Sequence, residues 1–290
     1  MVSPLLAKSA PTGREIVNVT PERAGWTHVG FRAVRLNPAE SETMDTGTRE
    51  LCLVVLTGTV DVTVDGKTYA NLGTRKSVFE EVSPAAVYVP AGKTVTVGNV
   101  PGATSVAEVA LCSAPGGTAR AGAAGATGAG ESGGAGEVSV IDSAAMRRSV
   151  RGKGTNTRYV CDILPHDDPR AAHLLVVEVM TPASHSSSYP PHKHDMEQPP
   201  VETLLEETYY HRLNPPQGFA YQRVYTDDRS LDEACAVEDH DVVMVPRGYH
   251  PVTAPHGYDL YYLNVMAGPN RFWVFKNDPA HEWMLAPSAT

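Results

Sequence analysis

The same punctuation stands once in each half of the chain: Val89-Pro90-Ala91-Gly92-Lys93-Thr94 and Val245-Pro246-Arg247-Gly248-Tyr249-His250. A Pro-x-Gly turn stops one extended run and sets where the next begins, because proline fixes φ and glycine reaches conformations other residues avoid. Around both turns the chain is written in short β-branched runs. In the first half, residues 51–64 are interrupted by Gly58 and stopped by the hairpin signal Asp65-Gly66, and residues 87–97 form a second strand pair. In the second half, runs at 157–163, 174–180, 207–213, 219–225, 241–245 and 259–266 are separated by turns at 214–218, 226–229 and 246–248. Little reads as helix, and strands at this spacing predict a sandwich or barrel. Glu50 precedes Thr94 by 44 positions and Glu207 precedes His250 by 43. That spacing predicts a duplication whose first copy is degenerate, with Thr94 standing where the second copy has His250.

Between the copies the composition changes abruptly. Nine of the 21 residues from 116 to 136 are glycine, with mostly alanine, serine and threonine between them, so no packed core can be built there. The expected organisation is an N-terminal barrel at 1–112, a linker or insertion at 113–137 and a C-terminal barrel at 138–290. A net charge of -9 argues against a nucleic-acid partner and requires any anionic substrate to be held by local cations or a metal. Cys52, Cys112, Cys161 and Cys235 lack zinc or disulfide spacing and predict free thiols. With neither a signal-like apolar run at the start nor a stretch of membrane-spanning length, a cytoplasmic protein without a membrane partner is expected. Self-association into a homo-oligomer stays open.

The chemistry concentrates at His192-Lys193-His194. Residues two positions apart on a strand project to the same face, so both imidazoles can reach one ion. Glu206 and Glu207 open the next strand on opposite faces. The repeat register favours Glu207, whereas Glu197 and Glu202 lie in a loop-like segment. His250, just past the second turn, supplies a third imidazole. Three neutral histidines and a carboxylate suit a divalent transition metal such as Mn, Fe, Zn or Ni. His211 shares the face of Glu207 and is a candidate ligand, base or supporting residue. The remaining histidines, among them His28, His173 and His240, read as structural or solvated.

Residues 188–195 (SYPPHKHD), 205–211 (LEETYYH), 217–228 (QGFAYQRVYTDD), 248–252 (GYHPV) and 257–268 (GYDLYYLNVMAG) resemble the 5-deoxy-glucuronate isomerase family of myo-inositol catabolism. That family consists of bicupins related to the uronate ketol-isomerases of pectin breakdown. The resemblance is dense from about 138 to 285 and looser before. The gap between His194 and Glu207 is longer than the usual cupin spacing, and the Gly/Ala-rich stretch departs from the family core. The resemblance implies an all-β fold of two jelly-roll barrels. It also implies an aldose-ketose isomerase that converts 5-deoxy-glucuronate to 2-deoxy-5-keto-gluconate through a metal-stabilised enediolate. Glu206, His211, Tyr262 or a metal-bound hydroxide are then the candidates for moving the proton. For the sugar-acid carboxylate, Arg223 and Lys193 are the first candidates, with Gln222, Arg247, Tyr261, Asn264 and Arg271 as further pocket residues. Lys193 alternates away from the histidine face. The alternatives are a cupin iron dioxygenase and a non-catalytic sugar- or metal-binding cupin.

Overall fold

The computed structural model describes residues 3–117 and 136–285, so most of the glycine-rich segment lies outside the described residues. The described chain is nearly all-β, with antiparallel pairing throughout, one α-helical turn, Pro21–Ala24, and two 3-10 segments, Gly154–Asn156 and Pro279–Leu285. Two barrels form, each a large sheet facing a smaller one. The first combines a six-stranded sheet, centred on Arg49–Thr57 and Ala107–Pro115, with a four-stranded sheet that includes Val60–Val64 and Thr94–Asn99. The second combines a seven-stranded sheet, centred on Glu206–Asn214 and Asp259–Ala267, with a four-stranded sheet that includes Phe219–Tyr225 and Val252–Thr253. This is the bicupin arrangement of two jelly rolls. No helix among the described residues is long and apolar enough to cross a membrane, and the four cysteines are free and buried.

The large sheets stand back to back, so their central strands are buried on both faces. Alternation sorts their side chains between two cores. Val34, Leu53 and Val97 fill the first barrel, and Tyr209, Val245 and Tyr262 fill the second. The residues between, such as Phe31, Cys52, Tyr210 and Tyr261, form a third core joining the barrels. Phe31 meets Tyr210 there with ring centroids 5.2 Å apart. Burying a side chain of the size of Phe31 contributes about 1.5–3 kcal/mol. A buried ion pair crosses the same interface: Arg75 donates to both Glu178 carboxylate oxygens at 3.1 and 3.0 Å, and Tyr261 donates to Glu178 at 3.0 Å.

The barrels also exchange edges. Leu6–Ala7 pairs with Val242–Val245 of the second barrel, and Ser139–Ile141 pairs with Ala85–Val89 of the first. Each borrowed strand covers an edge that would otherwise expose unpaired backbone groups. Sheet membership therefore does not follow the boundaries expected at 112 and 138.

A reciprocal clasp corrects the repeat register. Glu50 accepts hydrogen bonds from three consecutive backbone amides of the other half: Ala172 (2.8 Å), His173 (2.7 Å) and Leu174 (2.7 Å). Glu206 accepts from Thr27 (2.8 Å), His28 (2.7 Å) and Val29 (2.9 Å). The counterpart of Glu50 is thus Glu206, and the spacing to Thr94 and to His250 becomes identical at 44. In the ladder Leu51 faces Val89 as Glu207 faces Val245. The first barrel therefore has Leu51 and Thr94 where the second has Glu207 and His250, and neither can serve as a strong metal ligand.

Candidate metal centre

His192 lies on the short strand His192–Lys193, paired with Lys276–Asn277, and His194 follows directly. Glu207 sits on Glu206–Asn214, hydrogen-bonded on both sides by neighbouring strands and hence rigidly placed. His250 enters after Gly248, whose φ is +91° and where a Cβ would lie 2.5 Å from the Tyr225 carbonyl oxygen. Only glycine fits that position, so the turn fixes the direction of His250.

These elements converge. Ligating nitrogens of His192, His194 and His250 lie within 4.8 Å of one another. Glu207 Oε2 is 3.1 Å from His194 Nε2 and 3.3 Å from His250 Nε2. His194 Nδ1 donates to the Leu205 carbonyl at 3.0 Å and His250 Nδ1 to that of Gly248 at 2.8 Å. Those contacts orient each ring and leave its Nε2 lone pair facing the centre. His250 Nε2 is buried without an aligned hydrogen-bond partner. Glu207 is steadied by Asn264, which donates to Oε1 at 2.5 Å. Burial, followed by the neighbouring His250 and His194, holds the His192 pKa well below its ordinary value. Burial takes His250 down to about 4. Burial also pulls on His194, but the Glu207 contact outweighs it and leaves that pKa raised. Three imidazoles beside a carboxylate, two of them held neutral by burial and one with an orphaned buried nitrogen, fit a divalent transition ion.

His192 and Glu207 of the cluster line a cavity of about 300 Å³. Tyr209, Tyr262, Trp273 and Phe275 make an aromatic lining, Ser187, Ser188 and Asn264 add polar groups, and Arg151 and Arg158 supply positive charge. Tyr262 Oη lies 2.5 Å from Ser187 Oγ. Burial raises the Tyr262 pKa, so the phenol is neutral at ordinary pH.

Of the sequence-predicted residues, His192, His194, Glu207, His250 and Tyr262 meet here, and several others do not. Glu206 faces the first barrel and is consumed by the clasp. His211 is fully buried deeper in the barrel, within 2.9 Å of Gln222 Oε1, and burial takes its pKa down to about 4. Gln222 is buried as its partner and does not line the cavity beside the histidine cluster. Tyr261 faces the inter-barrel core, opposite to Tyr262, because successive strand residues alternate. Arg223 lies on the outer face and pairs bidentately with Asp232 at 2.8 and 2.7 Å. Arg247 is exposed beside Ser230. Lys193 is buried on the far side of its strand, held by Asp195 at 2.8 Å and Asp227 at 3.1 Å. Asp195 in turn accepts from the Gly248 amide at 2.8 Å, tying the His-x-His strand to the turn that carries His250. Arg271 is spent on loop carbonyls, including those of Leu174 and His166.

Sequence reasoning missed Arg151, Arg158 and Ser187. The signal for Arg158 was available: it starts Arg158–Leu164 in phase with Val160, which points into the second barrel.

Residues 5–284 match the KduI/IolB family. The chain is 48% identical over 268 residues to a 5-deoxy-glucuronate isomerase from Halalkalibacterium halodurans, covering 92% of each sequence. Its fold matches that of an IolB-like protein from Salmonella typhimurium LT2 with a TM-score of 0.86 and 44% identity, covering 97% of this chain and 99% of that one. An oxalate decarboxylase from Lactobacillus farciminis shares the fold at 12% identity, with a TM-score of 0.64 and coverage of 99% and 92%.

Proposed function

This chain belongs to the KduI/IolB family, and from that premise we propose that it isomerises 5-deoxy-glucuronate to 2-deoxy-5-keto-gluconate at a divalent metal held by His192, His194, Glu207 and His250. The observation that carries the metal reading is the convergence of three imidazoles and one carboxylate, with His250 Nε2 buried and otherwise unpartnered. The isomerase assignment is that of relatives such as the Halalkalibacterium halodurans protein, to which the chain aligns over nearly its whole length. The ion, of the class Mn, Fe, Zn or Ni, would supply the Lewis acidity that polarises a sugar carbonyl.

Aldose-ketose exchange moves one proton between neighbouring carbons and another between their oxygens. Tyr262 Oη lines the cavity beside the ligands and is coupled to Ser187 Oγ, so it can give a proton to one substrate oxygen and regain one from the other. Its raised pKa keeps the proton available. Glu206 and His211 have no access to the cavity and take no part. Tyr209, Tyr262, Trp273 and Phe275 give the cavity apolar walls, beside which a polar contact is stronger than in bulk water.

NMR of 5-deoxy-glucuronate incubated anaerobically with the metal-loaded protein tests the proposal. Conversion to the keto acid, abolished by chelation and restored by a divalent ion, is expected. Absence of turnover with stoichiometric metal would overturn it; oxygen uptake would identify an oxygenase, and tight binding without turnover a binding protein.

A further inference from the structure

We propose that Arg158 and Arg151 together form the subsite for the carboxylate of the sugar acid, clamping one end of the substrate while its carbonyl end reaches the histidine cluster. This rests on the isomerase reading. Both residues line the same cavity as His192 and Glu207.

The two arginines are directly opposite one another on adjacent antiparallel strands, Arg147–Arg151 and Arg158–Leu164. Like charges at opposed positions destabilise a sheet. Among the described residues no carboxylate lies within ion-pair distance of either, whereas Arg147 on the same edge strand pairs with Asp162 and Asp167. Among the described residues the sole carboxylate on the cavity wall is Glu207, already engaged with His194, His250 and Asn264.

Each arginine is braced without being neutralised. Arg158 donates from Nη1 to the backbone and side-chain oxygens of Asn156, both at 3.1 Å. Its Nε and Nη2, which together make one two-pronged donor edge, have no hydrogen-bond partner among the described residues. Arg151 lies over the Trp273 ring, 5.7 Å from its centroid. A pair of positioned, unneutralised guanidinium groups in a partly desolvated cavity is a carboxylate receptor. It also answers how a chain of net charge -9 attracts an anion: the field that matters is local.

Steady-state kinetics of Arg158→Gln and Arg151→Gln with 5-deoxy-glucuronate test this, alongside inhibition by glucuronate and by its neutral amide. We expect KM for Arg158→Gln to rise about 10- to 100-fold, the scale of a lost charge-assisted hydrogen-bond pair, with bound metal unchanged. Wild-type enzyme should prefer the anionic inhibitor, and that preference should collapse in the variant and be partly restored by Arg158→Lys. A purely structural role would not change the ratio of anionic to neutral inhibition. If Arg158→Gln fails to fold, Arg151→Gln decides by the same two readouts. Wild-type KM and undiminished anion preference in the variants that fold would overturn the subsite. Failure of the wild-type protein itself to turn over the uronate would instead strike at the isomerase reading.

Discussion

Glu206→Gln separates the two roles open to that residue. The Glu206 carboxylate accepts from three consecutive amides, Thr27, His28 and Val29, at 2.7–2.9 Å, and from the Thr27 hydroxyl at 3.2 Å. Glutamine has nearly the same shape but carries one acceptor oxygen instead of two. Its NH2 must face a backbone N–H that then has no partner. Losing charge assistance on the remaining bonds and orphaning at least one buried donor should cost about 2–4 kcal/mol. For a chain of this size that corresponds to a fall in Tm of roughly 5–10 °C. Glu50→Gln should lose a similar amount, since Glu50 makes the same three contacts in the opposite direction. Urea unfolding measures the loss. Isomerase activity measured well below the transition should stay within about threefold of wild type, since neither carboxylate reaches the cavity. A drop of a thousandfold or more in kcat for Glu206→Gln at unchanged stability would refute the clasp and restore Glu206 as a base.

Three other outcomes follow from the site. Adding a divalent ion to chelator-treated protein should raise Tm, by about 2.7 kcal/mol of stabilisation at 100 times Kd, and His250→Ala should abolish that shift as well as stoichiometric binding in a metal assay. Tyr262→Phe should lower kcat about 100- to 10,000-fold with KM little changed, the usual scale for a positioned acid-base group; near-wild-type kcat would remove Tyr262 from proton transfer. The pKa of His211 is depressed to about 4 and that of His240 to about 3, in both cases mainly by burial. The unfolded chain therefore binds more protons at both positions, and stability should fall as pH drops from about 6.5 toward 4, with His211 alone contributing on the order of 3 kcal/mol. Denaturant midpoints across that window check this, and a flat profile would mean that the two imidazoles are not buried in their neutral form.

Much of the architecture was legible in residue order alone. Two repeats of β-branched runs and Pro-x-Gly turns specify a duplicated barrel, because extended segments that short can bury their apolar faces only against one another. His192, His194 and His250 could likewise be picked out as partners, from same-face spacing and from the turn at Gly248. Glu207 was selected from a register one residue out, which the clasp at Glu50 and Glu206 later corrected.

Tertiary structure decided which face each residue serves. Alternation states that Tyr261 and Tyr262, or Gln222 and Arg223, point oppositely, yet it does not state which direction is the cavity. The ambiguity is deepest on the large sheets, where both faces are buried and apolar character no longer marks the interior: Tyr261 fills the inter-barrel core as completely as Tyr262 fills the barrel. It took the packing of the two barrels to assign Glu206 to the clasp and to leave Arg151 and Arg158 opposite one another without a counter-charge. Periodicity is a property of one strand, whereas inside and outside exist only once two sheets have met.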